Sequence, residues 1–219
     1  MTVSTKRLAR IGAAAALIAT AIATPLIAQQ MDLGKPDPSR VTGGNYQVDH
    51  EHTMVRWQVD HLGITPYFGV FGQITGTLAL DPQNPAASKV AIIIPVGKVT
   101  TASPGLTAHL LKASEKAGGK PDFFGPNPAD ARFVSTSVAP QGADRAKIAG
   151  NLTLNGVTKP VTLEARFYGA GKAPKEMGGQ EMIGFEAETT IKRSDFGVDM
   201  GIPMVSDEVE LDIVAAFVK

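Results

Sequence analysis

Residues 181–219, EMIGFEAETTIKRSDFGVDMGIPMVSDEVELDIVAAFVK, decide the fold class. Two runs in this stretch repeat with a period of two: Ile183, Phe185, Ala187, Thr189 and Ile191, then Val209, Leu211, Ile213, Ala215 and Phe217, with Glu208, Glu210 and Asp212 on the opposite face of the second. Side chains at i, i+2 and i+4 share a side only on an extended strand, so each run offers one face to a core and the other to water.

The same alternation returns upstream at Val55, Trp57 and Val59, at Ile74, Leu78 and Leu80, and at Leu163, Ala165 and Phe167. Strands also fit Lys89 to Thr100, Ala131 to Val138 and Lys147 to Leu154, with polar or Gly/Pro breaks between them at residues 81–88, 140–144, 155–160 and 169–180. Asn155-Gly156 is a reverse-turn dipeptide that suits a tight hairpin or a wider loop. Helical composition is confined to Leu106 to Lys116, about three turns between Pro104-Gly105 and Gly118-Gly119, with one-turn pieces near His61 to Thr65 and Ser194 to Phe196. About eight consecutive strands with short turns and no long crossover helices leave an antiparallel sandwich or a closed barrel. Gly69, Gly72 and Gly76 in one strand region favour the barrel, because a sheet bends or approaches another backbone where glycine interrupts it.

The amino end stands apart. Lys6, Arg7 and Arg10 precede an apolar stretch from Ile11 to Ile22 broken by Thr20, and Ala28 offers a cleavage point, so residues 1–28 read as an export signal too short to remain as a membrane span. No stable membrane insertion is expected after cleavage. Residues 29–44, rich in Pro, Gly and Asp, read as a flexible leader, and the folded domain is expected over 45–219. Cleavage at 28 removes three of 21 basic residues and none of the 21 acidic ones, leaving 18 against 21 and a formal charge of −3. A mildly acidic product lacks the basic stripe that phosphate binding needs, so no nucleic-acid partner is expected. The absence of cysteine excludes a disulfide scaffold, a thiolate metal site and a cysteine nucleophile.

The inward positions of these strands are almost wholly aliphatic and aromatic. An eight-stranded barrel is just wide enough to be filled by side chains or to hold one slender ligand, so this set builds either a solid core or an apolar lumen. Asp49, His50, His52, Asp60 and His61 carry ligating side chains, and His50 and His52 would share a strand face, but their spacing is no recognised ligand signature. The better reading of His50, His52 and His61 is hydrogen bonding at a barrel end or to a ligand head group, and no metal is expected. Arg193-Ser194-Asp195 lacks a positioned base; Ser194 or Asp195 suits a turn cap, and Arg193 suits an ion pair with Asp207 or Glu208. No phosphate loop or dinucleotide fingerprint is present, and neither a cofactor nor a catalytic residue is expected.

Several motifs in order resemble one family. Tyr46-Gln47-Val48-Asp49-His50-Glu51-His52-Thr53, His61-Leu62 followed by residues 68–76 (FGVFGQITG), residues 150–160 (GNLTLNGVTKP), residues 191–197 (IKRSDFG) and Ser206-Asp207-Glu208-Val209 are similar to the pattern of the YceI-like proteins, periplasmic polyisoprenoid- or lipid-binding proteins with a lipocalin-like barrel. The resemblance spans about residues 45–218. It implies an all-β, eight-stranded antiparallel barrel with one short helix, located in the periplasm, holding an isoprenoid chain such as a quinone tail or another long apolar lipid without chemistry, with a homodimer as a further option. By that analogy Trp57, Phe71, Ile74, Ile92, Phe133, Leu154, Phe167, Phe185 and Phe196 are candidate lining residues. The chain departs from the family pattern where residues 112–121 (KASEKAGGKP) follow the helix, a stretch expected near a barrel mouth. A solid-cored interaction or stress-response module and an enzyme acting on a small metabolite are the alternatives.

Overall fold

The computed structural model describes residues 34–219; the export signal expected over residues 1–28 lies outside the described residues. The period-two runs form strands β1 Gly44–Val48, β2 Met54–His61, β3 Thr65–Phe71, β4 Thr75–Leu80, β5 Lys89–Ile94, β6 Thr100–Thr101, β7 Ala131–Gln141, β8 Arg145–Leu154, β9 Val157–Lys172, β10 Glu181–Lys192 and β11 Glu208–Val218. All pair antiparallel in one sheet.

Six of these strands are three staves, each bent once. Along one edge of β11, Gln47 of β1 faces Val218 and, past a break at residues 49–53, Val55 of β2 faces Ile213. On the other side of that stave, β4 pairs with β1 and β3 with β2; β5 and β6 follow in the same way. The breaks at residues 49–53, 72–74 and 95–99 therefore fall side by side and bend the wall as a unit. Three bent staves and β7 to β11 make an eight-stranded ring, closed where β11 meets β1 and β2. Thr53, 4% exposed, pins the first break by donating to the Ala216 oxygen and accepting from its N–H.

Glycine and proline set these bends. Gly76 has φ +148°, and a Cβ there would stand 2.2 Å from the Ala91 oxygen, so that position excludes every side chain. Pro95 interrupts what the sequence suggested as one strand from Lys89 to Thr100: it has no N–H for the ladder, and a 3-10 turn at Val96–Lys98 separates β5 from β6. Asn155 (φ 51°) and Gly156 (φ 78°) join β8 to β9 with Leu154 facing Val157, which selects the tight hairpin.

The helix is shorter than expected and starts earlier. Helix α1 spans Pro104–Leu110, with Ser103 accepting from the Leu106 N–H as its cap, and it stops because the returning chain donates from Phe124 N–H to the Leu110 oxygen. Residues 102–130 pack against the lower, β3/β6 side of the barrel, where Phe124 meets Phe71 edge-on at 6.2 Å. Among the described residues no helix is long and apolar enough to cross a membrane.

A leader with no fixed structure was expected up to residue 44, and the fold differs from residue 34 on. Lys35 pairs with Ala170 of β9, Pro38–Arg40 form a 3-10 turn capped by Asp37, and Val41 packs on the upper core.

Candidate functional site: an apolar lumen closed at one end

Two clusters of buried side chains divide the barrel. The upper one gathers Tyr46, Val55, Ile74, Leu78, Phe167, Ile183 and Phe217; the lower one is Phe133, Leu152 and Phe196, the last 1% exposed. Between and above them runs a cavity of about 320 Å³. Its wall is built from alternate residues of β4, β5 and β7 to β11, and an edge-to-face series Phe167–Phe185–Phe217, with centroids 5.9 and 6.1 Å apart, covers one side. Ala165 and Ala187 face each other across β9 and β10 and, with Ala215, leave the room that larger side chains would fill.

The mouth lies at the end formed by the β4–β5 and β7–β8 turns. Pro38, Pro82, Pro85 and Pro140 ring it, with Ser88, Lys89, Asp144 and Arg145 supplying its polar groups. Deeper in, the hydroxyls are committed to the protein: Thr53 to Ala216, and Thr189 to the Thr162 oxygen at 2.9 Å. Among the described residues, no histidine or carboxylate lines the depth of the lumen. Such a surface offers mainly apolar contact to a guest.

Of the residues singled out from sequence, Ile74, Ile92, Phe133, Phe167 and Phe185 line the cavity. Trp57, Phe71, Leu154 and Phe196 do not, and each absence has a packing cause. Trp57 lies across Gly69, where a Cβ would stand 2.4 Å from its Cζ2. Phe71 turns to Phe124, and Phe196 packs under Phe133 and Leu152 as part of the floor, with Leu154 beside it. Trp57 Nε1 and the Tyr67 hydroxyl are buried without a protein hydrogen-bond partner, their rings 6.5 Å apart. The proline collar, Val41 and the alanines were missed. Alternation marks the alanines as inward, but attention to bulky side chains overlooks the small ones that create space.

The histidines do not gather. His50 and His52 sit in the break at residues 49–53, not on a strand: His52 Nδ1 is 2.7 Å from an Asp49 carboxylate oxygen, and both rings are more than half exposed. Burial pushes the Asp49 carboxyl up, but the hydrogen bonds from His52 and from the Glu51 N–H together outweigh it and hold the group below its usual range. His61 ends β2, far along the strand, paired with Val205. None of the three lines the lumen, and among the described residues no group of three or more His, Cys, Asp or Glu could hold a metal.

Arg193 corrects a further expectation. Its guanidinium makes no ion pair with Asp207 or Glu208 and donates to the main-chain oxygens of Ser206, Val198, Met200 and Val205 at 2.8 to 3.0 Å. Burial pulls its pKa down, opposed by the charges of Asp207 and Asp199. Asp207 instead accepts from the Ser194 N–H and hydroxyl, at 2.9 and 2.7 Å, and so anchors the 3-10 turn Arg193–Phe196 that carries the floor residue. The segment at residues 112–121 lies on the α1 side and contributes nothing to the mouth, which opens at the other end of the barrel.

Fold and lumen together define a lipocalin-like antiparallel barrel with an apolar interior. Residues 46–217 match the YceI-like domain. The chain belongs to the YceI-like family. It is 41% identical over 170 residues to Protein YceI of Salmonella arizonae, covering 77% of this chain and 83% of that one. A crystal structure of the Campylobacter jejuni YCEI protein superposes with a TM-score of 0.60 at 27% identity, over 73% of this chain and 89% of that one. A polyisoprenoid binding domain from Saccharophagus degradans, implicated in plant cell wall breakdown, shares the fold with a TM-score of 0.54 at 14% identity, covering 81% of this chain and 99% of that domain.

Proposed function

We propose that the chain is a periplasmic carrier that holds one long apolar lipid, an isoprenoid such as a quinone or polyprenyl chain, in the barrel and performs no chemistry on it. The observation that carries this reading is the lumen itself: aliphatic and aromatic walls, interior hydroxyls already engaged by the backbone, and polar groups confined to one mouth. The polyisoprenoid-binding relative of the same fold supports the ligand class. The basic and apolar stretch at residues 6–22 supports export.

Magnitudes favour a long chain over a small metabolite. Each buried CH₂ contributes about 0.8 kcal/mol, so ten carbons give roughly 8 kcal/mol, while association costs on the order of 4–15 kcal/mol. A short apolar molecule roughly breaks even, and each further carbon that is buried tightens the hold. At about 320 Å³ the cavity is at the small end of ligand sites, so part of a long lipid leaves through the mouth. The same open volume counts against a solid-cored interaction module.

Organic extraction of protein purified from the envelope fraction, followed by mass spectrometry, is expected to recover a long apolar molecule near one per chain, and the mature protein is expected to begin near Gln29. An empty protein that takes up neither quinone nor isoprenol overturns the reading.

A further inference from the structure

The turns around the mouth keep their main-chain hydrogen bonds to themselves. In the β4–β5 turn the Asp81 N–H donates to the Ser88 hydroxyl at 3.1 Å, the Asp81 carboxylate accepts from the Gln83 and Asn84 N–H groups at 3.0 and 3.1 Å, and Ala87 and Ser88 donate to the Asn84 and Pro85 oxygens. Pro82 and Pro85 have no N–H at all, so most donors of this turn are engaged or absent. The turn at residues 37–41 repeats the device: Ser39 donates to the Asp37 carboxylate, and Arg40 and Val41 donate to the Asp37 and Pro38 oxygens. An exposed loop ordinarily leaves such donors to water, whereas an amide already bonded within the protein enters a dry environment at little cost.

What these turns hold outward is apolar and stiff. Pro38, Pro85, Ala86, Ala87, Pro140 and Ala143 are all exposed, and prolines and alanines surrender almost no side-chain freedom when they are covered. The charges at the opening are equally distinctive. Among the described residues neither Lys89 nor Arg145, both exposed at the mouth, has a side-chain hydrogen bond or ion pair. Asp37 and Asp81 spend their carboxylates on their own turns, which leaves Asp144 as the anion beside those two cations.

A handful of tips around an open lumen is small beside the roughly 20–30 residues a side of a stable protein interface. A lipid surface suits every feature of the ring. Apolar tips enter the boundary between head groups and acyl chains, Lys89 and Arg145 meet phosphates, and Asp144 meets the ammonium of an ethanolamine head group. The lumen that opens inside the ring has walls of the same apolar character as the bilayer interior.

We propose that the mouth is a membrane-docking surface: the turns at residues 37–41, 81–88 and 141–145 seat on a phospholipid bilayer, and the guest passes between bilayer and lumen without crossing water. The docking rests on the carrier reading and adds the surface against which the carrier works.

The test loads the mature protein with dansyl-labelled geranylgeraniol, verifies uptake by dansyl fluorescence, and follows transfer by stopped flow into vesicles of phosphatidylethanolamine with phosphatidylglycerol as the minor component. Transfer is expected to quicken as vesicle concentration rises; a rate that stays constant, the mark of release into water before capture, overturns the docking without recourse to any variant. Lys89→Ala combined with Arg145→Ala is expected to slow transfer by about fivefold or more, the weight of one basic side chain at an anionic lipid surface, with an unchanged melting transition. Lys159→Ala, on β9 near the β8–β9 hairpin at the other end of the barrel, is expected to match the parent. Equal rates for the parent and the double variant, or an equal slowing by Lys159→Ala, place the contact elsewhere and overturn the proposal. A protein that never takes up the probe contradicts the carrier reading itself and removes the docking with it.

Discussion

The ring of Phe133 rests on the backbone of Gly150, where a methyl group would stand 2.4 Å from Cζ and 2.7 Å from the Val134 oxygen. Phe133 on β7 faces Leu152 of β8, two residues along, so the glycine is what lets the ring lie down between lumen and floor. Gly150→Ala is expected to cost about 1–3 kcal/mol in urea unfolding, the usual penalty for overpacking, and to weaken lipid uptake as the ring is pushed into the lumen. An unchanged midpoint with unchanged uptake would show that the ring has somewhere else to go.

Arg193 holds four carbonyls with one planar group. Arg193→Lys keeps the charge but not the fork, and Arg193→Met keeps the stem alone. Both are expected to lose about 2–4 kcal/mol, since each orphaned carbonyl forfeits a charge-assisted hydrogen bond. Full rescue by lysine would mean that charge, not geometry, organises the loop at residues 197–206.

The Asp207 carboxyl is held below its ordinary range, first by the Ser194 backbone N–H, then by the Ser194 hydroxyl and the charges of Lys192 and Arg193, with partial desolvation acting the other way. A carboxyl whose folded pKa is depressed contributes its stability above the unfolded value of about 3.9 and loses it as pH falls through the folded value. Melting temperature is therefore expected to drop on acidification below about pH 4, and Asp207→Asn, less stable at neutral pH, is expected to show a shallower acid limb. Parallel acid limbs would remove Asp207 from the account.

Tyr67 places its hydroxyl in the protein interior without a protein partner. Deleting an unpaired buried hydroxyl relieves a desolvation cost, so Tyr67→Phe is expected to raise stability by about 1 kcal/mol in chemical unfolding. A loss of stability would show that the hydroxyl is hydrogen-bonded in solution.

Much of the barrel was legible because a half-buried strand writes its period into the chain: Leu163, Ala165 and Phe167 and the paired run Phe185, Ala187 and Thr189 all face the lumen as alternation requires. The break of β5 at Pro95 was visible as a residue and overlooked as a consequence. Trp57 carries the same inward signal as Phe185 and Phe196 was a candidate by family resemblance alone, but whether a side chain lines a space or plugs it depends on neighbours distant in sequence, Gly69 in one case and Leu152 in the other. Residues 34–42 were illegible for a different reason: Lys35, Pro38 and Val41 have no period, and their order comes from the free edge of β9 and the hydrogen bonds at Thr42. The histidines looked like a cluster because they are close in sequence, yet the break at residues 49–53 and the length of β2 part them.

The central claim is that the guest lies inside the barrel against the wall that Ala165 of β9 and Ala187 of β10 form, and filling that space tests it most directly. Ala187→Phe places a ring beside Ala165 at the narrow wall, whereas Glu188, the next residue, lies on the other face of β10 and Glu188→Gln serves as a control. Titration of the mature protein with an isoprenoid quinone should show one-to-one binding for the parent and the control, and at least a hundredfold loss for Ala187→Phe in a protein that still melts cooperatively. Equal affinity in all three would place the lipid outside the lumen and contradict the account.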